Sequence, residues 1–292
     1  ATFVRTLAKT RKAIAEHSMT HKPAKKPGWR HDPKAVALQS KTEYNPALSD
    51  AWLLTARALF YSGKLEEARL TAEGILLRYA TELEVREEAR LWAVRSLIHL
   101  GRLGEAEELL RLFPQGAATD RLRRSYLYSV TTAELQLAEG RWEDALPTLR
   151  DAAVRAREKK QRARLHFLLG QIYLRLGRSS EAEGAFLRSS QLADEPALEL
   201  AGRLRALQLR GDSRSAQSVL RCLGQMRRYR GQQDQIFLAL GQSFLGSGQT
   251  ALAETSLQRA IDSARQHTTA WAEAQLTLGE LALATDRYPE AY

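Results

Sequence analysis

The residues suited to chemistry are few and scattered along the chain. Gly211-Asp212-Ser213 has the look of a hydrolase nucleophile triplet, in which a serine is held exposed on a sharp turn. That arrangement needs a strand entering the turn and an oxyanion loop beside it. The triplet instead falls where two helices of a repeat are expected to meet. His17 and His21, four apart and next to Glu16, could share a helix face as metal ligands, with His31 farther along. A protein zinc site needs a third ligand at a fixed spacing, and none stands there. There is no Gly-rich phosphate loop ending in Lys-Ser/Thr and no dinucleotide fingerprint. The single cysteine, Cys222, can form neither an internal disulfide nor a thiolate cluster. The sequence therefore predicts no catalytic residue, no metal and no cofactor: a non-enzyme.

Cations offer a second kind of chemistry. Residues 1–41 carry ten Lys and Arg against only Glu16 and Asp32, whereas the rest of the chain contributes just +2 to the net charge of +10. A basic arm on a near-neutral body could meet nucleic acid, anionic lipid or an acidic protein surface, and Lys22, Lys25, Lys26 and Arg30 are its candidate contacts. Two further basic runs span Arg155 to Arg164 and Arg221 to Arg230. Single-stranded nucleic acid needs aromatic platforms between the charges, and Tyr229 is the only one in either run. Solvated helix ends account for them better, and no nucleic-acid partner is expected.

The elements that must carry these residues are helices. Leu and Ala supply 91 of the 292 residues and Val and Ile only 13, a balance that favours helix over pleated strand. The longest apolar runs, such as 165–169, fall far short of the ~20 residues needed to span a bilayer. A β-domain, a disulfide scaffold and an integral membrane protein are excluded.

The helices repeat. A turn glycine followed five residues later by alanine recurs as Gly63/Ala68, Gly101/Ala106, Gly140/Ala145, Gly177/Ala182, Gly211/Ala216 and Gly248/Ala253, and Asp286 precedes Ala291 in a seventh copy. The turns lie 38, 39, 37, 34, 37 and 38 residues apart. Each is flanked by two apolar-periodic stretches, the first holding a small residue (Ala56, Ala133, Gly170, Gly241, Gly279) that lets its partner approach closely. This is the pattern of tetratricopeptide repeats, two antiparallel helices per unit. Val94 and Leu204 replace the small residue in copies two and five, which are the degenerate ones. The predicted fold is an all-α, right-handed superhelical tetratricopeptide α-solenoid over residues 47–292, with about six full repeats and a truncated seventh. An array needs a capping helix over its last apolar face, so the 292 residues are expected to be a piece of a longer protein. Residues 1–46 are expected to form a basic helix over about 2–18 and then a loop or strap containing Pro23, Pro27, Pro33 and Pro46.

In such an array the first helices line the concave groove. Its floor position reads Leu53, Leu91, Val130, Phe167, Ala201, Leu238 and Leu276, and the row beside it Arg57, Arg95, Glu134, Gln171, Arg205, Gln242 and Glu280. Arg57, Tyr61, Arg95, Glu134, Gln171, Arg205 and Gln242 are the candidate partner contacts. Chaperone adaptors that clamp a C-terminal carboxylate carry Lys and Asn at these positions, and here there is neither. An apolar floor with mixed-charge rows suits an extended peptide or a partner helix.

Four segments go beyond the generic repeat: Ala13 to Pro23 (AIAEHSMTHKP), Glu43 to Leu54 (EYNPALSDAWLL), Tyr79 to Trp92 (YATELEVREEARLW) and Lys159 to Tyr173 (KKQRARLHFLLGQIY). Over about residues 10–180 the sequence resembles the PorW/SprE lipoprotein family of the Bacteroidota type IX secretion system. The resemblance implies a periplasmic scaffold, tethered to the outer membrane by a lipidated cysteine. Such a scaffold links the outer-membrane translocon to the periplasmic ring and motor components that drive export and, in some members, gliding. No cysteine lies near Ala1: either the lipidated end lies upstream of this chain or the anchoring does not carry over to it. A general peptide-binding adaptor or co-chaperone is the alternative that the groove alone supports.

Overall fold

The computed structural model describes residues 2–17, 27–40, 47–210, 213–264 and 268–284, and among them every regular element is a helix. The chain divides into two compact units, Ala1–Arg155 and Ala156–Tyr292. The first contains α1 (Thr2–His17), α2 (Pro33–Ser40), α3 (Ala47–Tyr61), α4 (Leu65–Arg78), α5 (Leu83–His99), α6 (Leu103–Arg111), α7 (Ala117–Arg123), α8 (Tyr126–Ala138) and α9 (Trp142–Arg155). The second contains α10 (Lys159–Arg175), α11 (Ser179–Leu192), α12 (Pro196–Arg210), α13 (Ser213–Gln225), α14 (Gln233–Gly246), α15 (Thr250–Ser263) and α16 (Thr269–Ala284). Hairpins α3/α4, α5/α6 and α8/α9 build one unit; α10/α11, α12/α13 and α14/α15, followed by α16, build the other. This is the tetratricopeptide α-solenoid that the sequence predicts.

One turn closure is used five times. Gly63, Gly101, Gly140, Gly177 and Gly248 have φ between +73° and +79°, the left-handed region that glycine enters without steric cost. In each, the glycine N–H donates three residues back and the next N–H donates five back, as in Gly63 to Phe60 (3.0 Å) and Lys64 to Leu59 (3.1 Å). These two bonds satisfy the carbonyls that a helix end leaves open. Gly211 and Asp286 lie outside the described residues. The alanine five residues after each of the five glycines is buried, so the second helix seats closely against the first.

Small residues set the interhelical distance where the sequence placed them. Ala56 and Ala133 are fully buried. A Cβ on Gly170 would stand 2.7 Å from the Phe186 ring, and one on Gly241 2.7 Å from the Leu257 side chain. Phe186 and Leu257 are themselves completely buried, each contributing about 1.5–3 kcal/mol of transfer free energy. A third close approach was not legible from the repeat: a Cβ on Gly202 would lie 2.7 Å from the Phe186 carbonyl oxygen, so glycine brings α12 onto the backbone of α11.

Three helices stand outside the repeat hairpins. α1 runs antiparallel to α3, with Leu7 buried between Phe3 stacked on Tyr61 (centroids 5.7 Å apart) and the Thr55 hydroxyl donating to Thr10 (2.8 Å). Inside the stretch expected as a strap, Trp29–His31 forms a 3₁₀ turn and Pro33–Ser40 forms α2. The cause is local. The Asp32 carboxylate accepts the Lys34 N–H at 2.9 Å, and proline at the first helical position needs no donor there. α7 fills the long joint between α6 and α8, opened by Gly116 at φ 136°. No described helix is long and apolar enough to cross a membrane.

Candidate partner-binding surface

In unit 1 the candidate row begins on the last two turns of α3. Arg57 and Tyr61 lie one helical turn apart and both are exposed, Tyr61 by 52%. Behind them Phe60 makes edge contacts with Tyr61, Trp92 and His99 at centroid distances of 5.4, 5.5 and 5.1 Å. The Arg57 guanidinium lies 5.6 Å from the Trp92 ring centroid. Such a cation–ring contact is worth about 0.5–1 kcal/mol at an exposed site. The result is a ledge of Phe3, Tyr61 and Arg57 above a buried aromatic floor.

Arg95 and Glu134 occupy the same register position but not the same environment. Arg95 is buried, 4.8 Å from the ring centroids of both Phe60 and Trp92, and donates from Nε and Nη2 to the two Glu134 carboxylate oxygens. Burial acts to lower the Arg95 pKa, but the Glu134 carboxylate and Tyr61 outweigh it, so the guanidinium stays cationic. These two residues hold α5 to α8 and present only the edge of Glu134 to solvent.

In unit 2, Gln171, Arg205 and Gln242 are exposed on α10, α12 and α14, and Arg205 donates to Gln208 at 3.3 Å. On the arm, Arg30 is exposed with its guanidinium 5.8 Å from the Trp29 ring centroid. Lys22, Lys25 and Lys26 lie outside the described residues.

Most of the first basic run is consumed by its neighbours. Arg155 pairs with Asp151 at 2.5 Å, Lys159 with Asp194 at 3.2 Å, Arg164 with Glu195 at 3.7 Å, and Lys160 with Glu195. In the second run Arg228 donates to the buried Glu199, which also accepts the Tyr229 hydroxyl at 2.8 Å and pairs with Arg203. Burial, then the bond to Glu199, raises the Tyr229 pKa. This clamp, invisible in the repeat pattern, ties the segment after α13 back onto α12 in the degenerate fifth copy. Ser213 opens α13, while Gly211 and Asp212 lie outside the described residues, as does His21. His31 is exposed, and the described residues hold no cluster of three or more His, Cys, Asp or Glu suited to a metal ion.

The tetratricopeptide repeat profile matches residues 53–120, 130–196 and 238–292, about two-thirds of the chain. The gap between the last two matches contains the degenerate fifth copy. No curated protein sequence matches the chain. Among solved structures, it resembles BtubC from P. vanneervenii with 17% identity over 90% of this chain and 91% of the other, at a TM-score of 0.48. The thermophilic tetratricopeptide protein TTC0263 of Thermus thermophilus is 20% identical over 78% and 99% of the two chains, at 0.43. The structure of the Cut9–Hcn1 hetero-tetramer of the APC/C aligns over 98% of this chain and 47% of that one, with 15% identity and a TM-score of 0.53. The helical hairpins, their shared glycine closure and the profile match agree: the chain belongs to the tetratricopeptide repeat family.

Proposed function

We propose that the protein is a non-enzymatic adaptor that docks protein partners on the first helices of its hairpins. Tetratricopeptide repeats are generally protein-interaction scaffolds. The observation that carries the reading is the exposed Arg57–Tyr61 ledge, packed on the buried Phe60–Trp92 floor. Interfaces draw most of their energy from arginine and aromatic anchors of this kind. At the finer level, the segments within residues 10–180 support a scaffold of a type IX secretion machine. It would be periplasmic and peripheral to the outer membrane, joining the translocon to the ring and motor components.

Affinity purification of the tagged protein from its native envelope tests both levels. Translocon and ring proteins should be recovered, and Arg57→Glu with Tyr61→Ala should deplete them by about thirtyfold or more, the loss of one hot-spot interaction. Recovery of neither at endogenous expression overturns the secretion reading. Saturation of the isolated chain by short client peptides, without any large folded partner, favours the general adaptor or co-chaperone.

A further inference from the structure

Unit 2 contains a cleft that belongs to no part of the first-helix row. It lies between α13 and α15 with α14 beneath, has a volume of about 310 Å³, and rests on the buried Phe237, Leu240 and Phe244. Leu252, 45% exposed, lines one side. This is the lower end of the ~300–1,000 Å³ range of ligand sites, room for one or two side chains.

Among the described residues, no carboxylate offsets the cleft's charge. Arg221 on α13 lies with its guanidinium 5.4 Å from the Phe244 ring centroid, and Arg259 on α15 lies 4.2 Å from that of Phe237. Both arginines are exposed, no carboxylate lines the cleft, and neither arginine has an ion-pair partner among the described residues. α13 contains no acidic residue, and Glu254 and Asp262 of α15 lie outside the lining. Elsewhere in the unit Arg164, Arg203, Arg210 and Arg228 each have a carboxylate, while Arg188 and Arg205 donate to glutamine side chains. A guanidinium braced on a ring face keeps its N–H edges free for two-point binding of a carboxylate.

We propose that this cleft binds an acidic–apolar peptide segment of a protein partner. An apolar side chain enters over Leu240 and Phe244, and flanking carboxylates are received by Arg221 and Arg259. The inference rests on the adaptor reading and adds a second docking site with its own chemistry. Nucleic acid fits poorly, because Phe237 and Phe244 are buried with arginines over their faces and offer no stacking platform.

The test uses the full chain and a fluorescein-labelled peptide of alternating Glu and Leu, followed by fluorescence anisotropy. Saturable binding is expected, weakened at least about tenfold (roughly 1.4 kcal/mol) in R221E/R259E. The helical circular dichroism of this variant should be unchanged, because both side chains are exposed. The double variant should instead bind the matching Lys–Leu peptide, a gain that mere unfolding cannot give. Gln–Leu and Glu–Ser peptides should each bind the unaltered protein at least about tenfold more weakly. Equal binding of the Glu–Leu peptide by both proteins overturns the proposal, as does absence of binding at millimolar peptide. Binding of a single-stranded oligonucleotide as tight as that of the Glu–Leu peptide overturns it in favour of a general anion site. Self-association abolished by R221E/R259E overturns it in favour of a second copy as occupant. If the cleft fails while the Arg57 and Tyr61 variants still lose partners, the adaptor reading stands without it.

Discussion

Arg95 on α5 and Glu134 on α8 meet through two hydrogen bonds, each 2.7 Å long, that join consecutive hairpins across 39 residues of sequence. Removing the acid leaves a buried guanidinium without its counter-charge. Glu134→Ala should therefore destabilise unit 1 by about 3 kcal/mol, the lower end of the range for such losses, because two ring faces still support Arg95. Replacing both residues, with Arg95→Met and Glu134→Leu, should recover most of that. Urea unfolding of the two variants checks the pair, and a double variant no more stable than Glu134→Ala contradicts it.

Three glycines on the helices of unit 2 should respond to alanine in three different ways. Gly184 is exposed with open space where a Cβ would go, so Gly184→Ala should stabilise by up to about 1 kcal/mol through helix propensity. Gly170→Ala meets the fully buried Phe186 ring and should lose about 1 kcal/mol net. Gly202→Ala meets a carbonyl oxygen, which cannot rotate away, and should lose about 2 kcal/mol or more. Thermal melts read the order, and any reversal contradicts these contacts.

His166 is half-buried, and burial, then the charges of Arg188 and Arg162, lowers its pKa from the ordinary 6.5. A depressed histidine favours the folded state while neutral. That stability is complete above pH 6.5 and declines as pH falls below it, where the unfolded chain takes up the proton first. An NMR titration should give His166 a midpoint below 6.5. In His166→Gln the stability should change less between about pH 6.5 and 5.

Surface and buried acids should behave differently in the same unit. Glu195 sits half-exposed between Lys160 and Arg164, and the Lys160 bond lowers its pKa from the ordinary 4.5. Water screens that pair, so Glu195→Gln should leave the urea midpoint unmoved. Glu199, buried and binding Arg228, Arg203 and the Tyr229 hydroxyl, is the opposite case. Glu199→Ala should cost about 2–3 kcal/mol, and an effect no larger than that of Glu195→Gln would mean the clamp contributes nothing.

The repeat frame was legible because one backbone requirement recurs. A left-handed turn residue needs glycine, and Gly63, Gly101, Gly140, Gly177 and Gly248 mark it in plain text. The short helices were not legible. α2 and α7 have 8 and 7 residues, too few for apolar periodicity to stand out, and the proline that suggested a strap at Pro33 instead opens a helix. Arg95 and Glu134 each looked like a free groove contact, because register alone does not report burial. The missed signal was opposite charge at one position in adjacent copies. Gly202 lies outside the repeat's own small-residue position, so only the backbone of α11 explains it.

The joint holding α7 shows how such a protein tolerates change. α6 has only 9 residues where α4, α9, α11 and α15 have 14, and the shortfall is made up beside it, without altering the closure at Gly101 or Gly140. Length can thus be traded at a seam while the neighbouring rungs keep their form. Variation among relatives should gather at such seams, and grafts inserted there should be accepted more readily than anywhere within a hairpin.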